Sequence, residues 1–100
     1  MAPIHDSIGF ASVSLTSGAY AQLPDIPCDE ITIGVTSANI QVANSATPGT
    51  NFMVVNNTTE WTIPTGGNAN NLYLSLVTGG STTIAFMWRL KGLTGMFQGV

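Results

Sequence analysis

Asn71-Leu-Tyr-Leu-Ser-Leu-Val-Thr78, then Gly79-Gly80, then Ser81-Thr-Thr-Ile-Ala-Phe-Met-Trp-Arg-Leu-Lys91 is the stretch that decides the fold class. Successive side chains of a strand point to opposite faces, so Leu72, Leu74 and Leu76 share one face of the first segment. Ile84, Phe86, Trp88 and Leu90 share one face of the second. Two period-two stripes separated by glycines read as a β-hairpin. A two-residue Gly79-Gly80 turn would pair Leu76 with Thr83 and Leu74 with Ala85, which puts the stripes on opposite faces. A three-residue loop, Gly79-Gly80-Ser81, pairs Leu76 with Ile84, Leu74 with Phe86 and Leu72 with Trp88. The expectation is therefore a longer turn or a bulge, with glycine at positive φ. Such a hairpin is an apolar wall that needs a second layer.

Upstream segments supply candidates for that layer. In Glu30 to Thr36, Ile31, Ile33 and Val35 share a face, and the link Thr36-Ser37-Ala38-Asn39 would pair Val35 with Ile40 and Ile33 with Val42 as a second hairpin. Pro24 and Pro27 each hold the preceding residue in extended geometry, which excludes helix from Tyr20 to Cys28 and predicts an edge segment leading into that strand. Asn51 to Val55 reads as a short strand, Asn56 to Thr59 as a turn, and Glu60 to Ile63 as a strand with Trp61 and Ile63 on one face. Asn44 to Thr50, with Pro48-Gly49, and Pro64 to Asn71 read as loops. No segment has a period of 3.6. Short strands with turn signals at roughly ten-residue spacing predict an all-β antiparallel sandwich or small barrel without substantial helix. Its expected core is Ile31, Ile33, Val35, Trp61, Leu72, Leu74, Leu76, Ile84, Phe86 and Trp88.

Both ends differ from this pattern. Ile4, Ile8 and Phe10 lie among Ser, Gly and Pro without periodicity, and only Ser12 to Thr16 alternates, so residues 1–11 read as an extended arm that docks on its own domain or reaches a neighbour. Residues 92–100 form a glycine-rich tail carrying Leu93, Met96, Phe97 and Val100. The sandwich is then assigned to residues 12–91. Apolar, uncharged ends exceed what one small core hides, so removing either is expected to spare the fold and weaken assembly.

Composition narrows the function. Of 100 residues, 44% are hydrophobic and only 7% charged, against roughly a quarter charged in ordinary soluble domains. The polar surface must come from Ser, Thr and Asn, and a weakly self-repelling surface favours lateral association. Two cations, Arg89 and Lys91, cannot form the basic footprint that binding a nucleic-acid backbone needs. No apolar run approaches the roughly 20 residues that span a bilayer, and no basic stretch precedes an apolar run near the start, so neither membrane nor secretion is expected. The single cysteine, Cys28, excludes an internal disulfide and suits a reducing cytoplasm.

Catalytic chemistry has little to build on. His5 is the only histidine, which removes His-based triads and His-rich metal sites, and it reads as a solvated side chain. Asp29 and Glu30 beside Cys28 would raise its pKa, so it reads as a small buried hydrophobe. Asp25, Asp29 and Glu30 cluster without the Asp/Asn and glycine alternation of a calcium loop, and read as a solvated strand edge; Glu60 is the remaining carboxylate with which they could pair. Gly66-Gly67-Asn68-Ala69-Asn70-Asn71 lacks the spacing of a phosphate-binding loop. The sequons within Asn56 to Thr59 read as turn chemistry. Trp61 and Trp88 lie on apolar stripes, which favours core packing over a sugar-binding platform. Arg89 and Lys91, on the opposite face of the last strand, are either solvated or paired with carboxylates of a neighbour.

Tyr20-Ala-Gln-Leu-Pro, Ile26-Pro-Cys, Glu30-Ile-Thr-Ile, Trp61-Thr-Ile and Asn68-Ala-Asn-Asn-Leu-Tyr-Leu together resemble small β-sandwich structural proteins of tailed bacteriophage virions. The resemblance spans about Gly18 to Leu90 and omits the tail from Gly92. Related sequences more often carry Arg in the strands after Ile40, where this chain carries it only at Arg89. The resemblance implies a non-enzymatic virion protein without cofactor or metal, made in the host cytoplasm and decorating or cementing a capsid. Its partners would be the major capsid protein or other virion subunits and further copies of itself, with a trimer favoured. Ile4, Ile8, Phe10, Arg89, Lys91, Leu93, Met96 and Phe97 are the expected contact residues. The alternatives are a tail, collar or head-fibre component and a glycan-binding β-sandwich module.

Overall fold

The computed structural model describes residues 5–34, 39–56, 58, 60–77 and 80–92. These form eight strands: β1 (Ser7–Thr16), β2 (Ala21–Gln22), β3 (Pro27–Ile33), β4 (Ile40–Ala43), β5 (Met53–Val55), β6 (Trp61–Asn68), β7 (Tyr73–Leu76) and β8 (Ser81–Leu90). One four-stranded sheet, A, has the order β1-β8-β3-β6; the other, B, has the order β2-β7-β4-β5. Every pairing between these strands is antiparallel. The fold is an all-β sandwich, as the strand periodicity requires.

Neither expected hairpin forms. β7 pairs with β4 and β2 in sheet B, whereas β8 pairs with β1 and β3 in sheet A. The pairings of Leu76 with Ile84, Leu74 with Phe86 and Leu72 with Trp88 are therefore absent, and the glycine link crosses from one sheet to the other, with Gly80 at φ 74°. β3 and β4 are likewise split between the sheets, so Ile33 lies opposite Trp61 and Phe86 rather than Val42. Val35 and the link after it lie outside the described residues. The apolar stripes are those the alternation predicts, but their partners are not. Side by side in one sheet, two apolar stripes still need a cover, whereas in facing sheets each stripe buries the other. Leu72, Leu74, Leu76, Ile84, Phe86, Ile31 and Ile33 are all buried in one core, joined by Leu15, Leu23, Cys28, Ile40, Val42, Val55 and Ala69, with Trp61 and Trp88 packed against it half-buried.

Two boundaries also move. Ser7 to Ala11, expected within an arm, are the first half of β1 and pair in unbroken register with Leu90 back to Phe86. Their apolar alternation is weak because Ser7 and Gly9 occupy inward positions. Pro64 to Asn68, expected as loop, continue β6 as far as Asn68, and Ala69–Asn71 make a single 3-10 turn. Pro64 is tolerated because β6 is a sheet edge, and a register shift in β3 between Cys28 and Glu30 accommodates the irregular ladder. β3 itself begins at Pro27, a position where a missing N–H costs no central ladder bond.

Polar side chains bind the two crossovers together. Asn68 Oδ1 accepts from the backbone N–H groups of Ile26 (3.1 Å) and Asn70 (2.9 Å), while its Nδ2 donates to Asp25 at 2.7 Å. Gln22 Nε2 donates to the Asn70 carbonyl (2.8 Å) and Asn71 Nδ2 to the Thr65 carbonyl (2.9 Å). The segments Tyr20 to Cys28 and Asn68 to Leu74, which carry much of the resemblance described above, thus lie against each other as a structural clasp. Their composition reports how the sheets are joined.

Candidate assembly surface

The outer face of sheet A is built by the residues that alternate with its core stripes. The ladder registers set them in rows: Ile8, Arg89, Glu30 and Pro64; then Phe10, Met87, Thr32 and Thr62; then Ser12 beside Ala85. Phe10 is 76% exposed and Ile8 57%. Beside Phe10 lies an open groove of about 320 Å³, lined also by Thr32, Gly34, Glu60, Ala85 and Met87. Small residues make the groove: Gly34 and Ala85 leave a hollow between Phe10 and Glu60. Threonines hydrogen-bond across the face, Thr32 to Thr62 at 3.0 Å, and Ser14 to Thr83 at 3.2 Å. These bonds satisfy hydroxyls laterally and leave a surface of methyl groups, a phenyl ring and a thioether.

The central charges of this face are used within the chain. Arg89, directly opposite Glu30 in the β3–β8 ladder, pairs with it at 3.6 Å. A half-exposed pair of this kind contributes roughly 0–1 kcal/mol, yet it removes the free cation that the sequence offered to a neighbour's carboxylate. Arg89 Nε is buried without a hydrogen-bond partner among the described residues. Lys91 is exposed, and its backbone N–H donates to Asp29 Oδ2 at 2.6 Å. Gly92 donates to Asp6 Oδ1 at 3.0 Å, tying the start of the expected tail to the domain. Ile4, Leu93, Met96 and Phe97 lie outside the described residues.

The carboxylates Asp25, Asp29 and Glu30 do not converge, since each is held by a different partner: Asn68, the Lys91 backbone and Arg89. Glu60 stands apart on the rim of the groove. Among the described residues no cluster of His, Cys, Asp and Glu suits a metal ion. Cys28 is fully buried, with Thr65 Oγ1 donating to its backbone carbonyl; desolvation raises the thiol pKa above its ordinary value. His5 is exposed. Asn56 Oδ1 accepts from the N–H (2.9 Å) and the hydroxyl (2.8 Å) of Thr58, an Asx-turn, as its turn composition requires.

Trp61 and Trp88 lie on the core side of sheet A, with the Trp61 indole N–H buried and unpartnered among the described residues. Among the described residues the exposed aromatic is Phe10, whose segment lacks the regular alternation that made the other strands legible. Among the described residues no helix is long and apolar enough to cross a membrane. No protein-family model matches the chain, and no curated protein or solved structure matches it.

Proposed function

We propose that the protein is a non-enzymatic structural component of a virion, a decoration or cement subunit that stabilises an outer shell by lying across the junctions of neighbouring subunits. The observation that carries the reading is the outer face of sheet A, where Ile8, Phe10 and Ala85 stand exposed beside Met87 among threonines, with the central Glu30–Arg89 charges paired to each other. A rigid face of that composition buries apolar area against a neighbour with its central charges already paired and only Glu60 charged at the groove rim, which suits a permanent, laterally extended contact. The sparse overall charge and the resemblance to phage virion proteins support the same reading. The dispersal of the carboxylates into separate structural contacts supports a role without catalysis.

The test compares particles assembled with and without the protein. Complete particles are expected to resist heat and pressure better, and Phe10→Asp is expected to abolish both the added resistance and co-sedimentation of the protein with particles. Equal resistance of particles lacking the protein would overturn the proposal.

A further inference from the structure

The four sheet edges of the sandwich are not equally guarded. At the β6 edge stand Pro64 and the left-handed Gly66 and Gly67, at φ 73° and 117°. The edge strands of sheet B, β2 and β5, are only two and three residues long. Short strands, prolines and irregular backbone are the devices by which proteins keep edges from pairing. β1 has none of them. It runs ten residues in unbroken register, and from Ser7 to Thr16 it contains no charge and no proline.

The hydrogen-bond alternation shows which groups that edge offers. Ser17 N–H donates to the Gly80 carbonyl at 2.9 Å, extending the β1–β8 ladder by one bonded pair. Bonded and non-bonded pairs alternate in an antiparallel ladder, so Ser7, Gly9, Ala11, Val13 and Leu15 spend their backbone groups on β8. Ile8, Phe10, Ser12 and Ser14 direct theirs outward. Thr16 is next in the series, but its carbonyl accepts from the Ser75 hydroxyl at 3.0 Å and it bridges to Ala19. Among the described residues, four therefore present unused donors and acceptors.

We propose that this edge pairs with β1 of a second copy, antiparallel about a two-fold axis, making one continuous eight-stranded sheet. The four open residues choose the register. Ile8 opposite Ser14 of the second copy and Phe10 opposite its Ser12 uses all four on each side and nothing else. Shifting by two residues in one direction brings in Thr16, whose carbonyl is taken, and in the other direction places Asp6 in the ladder. Shifts by one residue set bonded positions against non-bonded ones. In the chosen register Ala11 faces Ala11 across the axis as a non-bonded pair. Phe10 of each copy lies diagonally across it, within reach of aromatic side chains, which gives the 76% exposed ring a place to bury area. The absence of charge along β1 leaves nothing to repel the second copy. The contact is two-fold and makes pairs, so the three-fold ring expected from the sequence would need a second surface. The inference takes nothing from the proposed function and needs no particle.

The test therefore uses the purified chain alone, so its failure and that of the virion reading are separately visible. Light scattering after size exclusion is expected to give twice the chain mass with concentration-dependent dissociation. Ser12→Pro removes an outward N–H on an edge strand and is expected to halve the mass while leaving the far-UV circular dichroism unchanged. Should that variant not fold, Ser12→Lys, at an exposed position, is expected to weaken the dimer by placing like charges near the axis. Oxidation of Ala11→Cys is expected to cross-link two chains, because facing Cα atoms of a non-bonded pair lie about 4.5 Å apart, within disulfide range. Ser14→Cys and the wild type, whose Cys28 is buried, should not cross-link. A monomer at every concentration would overturn the proposal, since the edge would then be covered by another segment or a foreign strand. So would a dimer that survives Ser12→Pro, or one in which Ala11→Cys fails to cross-link.

Discussion

At position 9 the chain has no room for a side chain. Gly9 lies opposite Trp88, and a Cβ built there would sit 2.4 Å from Trp88 Cζ2, so the indole occupies the space a side chain would fill. An aromatic laid over a strand glycine compensates for the weak packing that glycine brings to a sheet. Gly9→Ala is expected to displace the indole and to destabilise the fold by roughly 1–3 kcal/mol, the usual range for overpacking, with a red shift of tryptophan emission in the native state. An unchanged spectrum and stability would show that the ring does not lie there. Cys28 gives a second outcome at this scale. Burial favours the neutral thiol, so the folded chain holds that proton more tightly than the unfolded chain. The resulting stability is complete below the ordinary thiol pKa of about 8.5 and is lost as pH rises through the raised folded value. Urea midpoints are expected to fall from pH 8 to pH 10, less so in Cys28→Ala. Native protein should react with a thiol reagent only at the rate of opening.

β1 changes character between sequence and structure. Its outer residues Ile8 and Phe10 looked like anchors of an arm because the inward positions hold Ser7 and Gly9, which carry no apolar signal. Their place in the ladder is nevertheless complete: Ser7 to Ala11 pair with Leu90 back to Phe86. Deleting residues 1–11 would leave that half of β8 as a bare edge and strip Gly9 from beneath Trp88. We expect this deletion to unfold the domain or lower its melting temperature by more than ten degrees, a loss of a few kcal/mol at this size. Deleting residues 1–4, which lie outside the described residues, is the control against which that loss is measured. If the longer deletion melted like the full chain, β1 would be an adjunct to the sandwich and the arm reading would return.

For the molecule as a whole, the placement of the two tryptophans separates a packing role from a binding platform. Both lean on the core from sheet A. Native emission is expected to be blue-shifted, resistant to acrylamide and unaffected by millimolar sugars; quenching by a sugar would revive the glycan-binding alternative. The stripes of β3, β7 and β8 were legible because each alternates strictly and each buries its apolar face. The outer face of sheet A was legible only in part: Ile8 and Phe10 stood out as apolar, but Met87, Ala85 and Gly34 gain meaning solely from lying beside them. Nothing local to Glu30 or Arg89 announces that they face each other, since they are 59 positions apart in the chain and meet only through the β3–β8 ladder.

Alternation by itself determined that the chain is built of strands and which face of most of them is apolar. Those properties are local, set by the two-residue period of extended backbone and by the cost of burying polar groups. Which strands become neighbours is not local. A glycine link can return a strand beside its predecessor or carry it to the opposite sheet with nearly the same residues. The choice falls to whichever arrangement lets every apolar stripe cover another. Here that condition split both expected hairpins, placed β1 on an open edge, and assembled the outer face of sheet A from four strands distant in sequence.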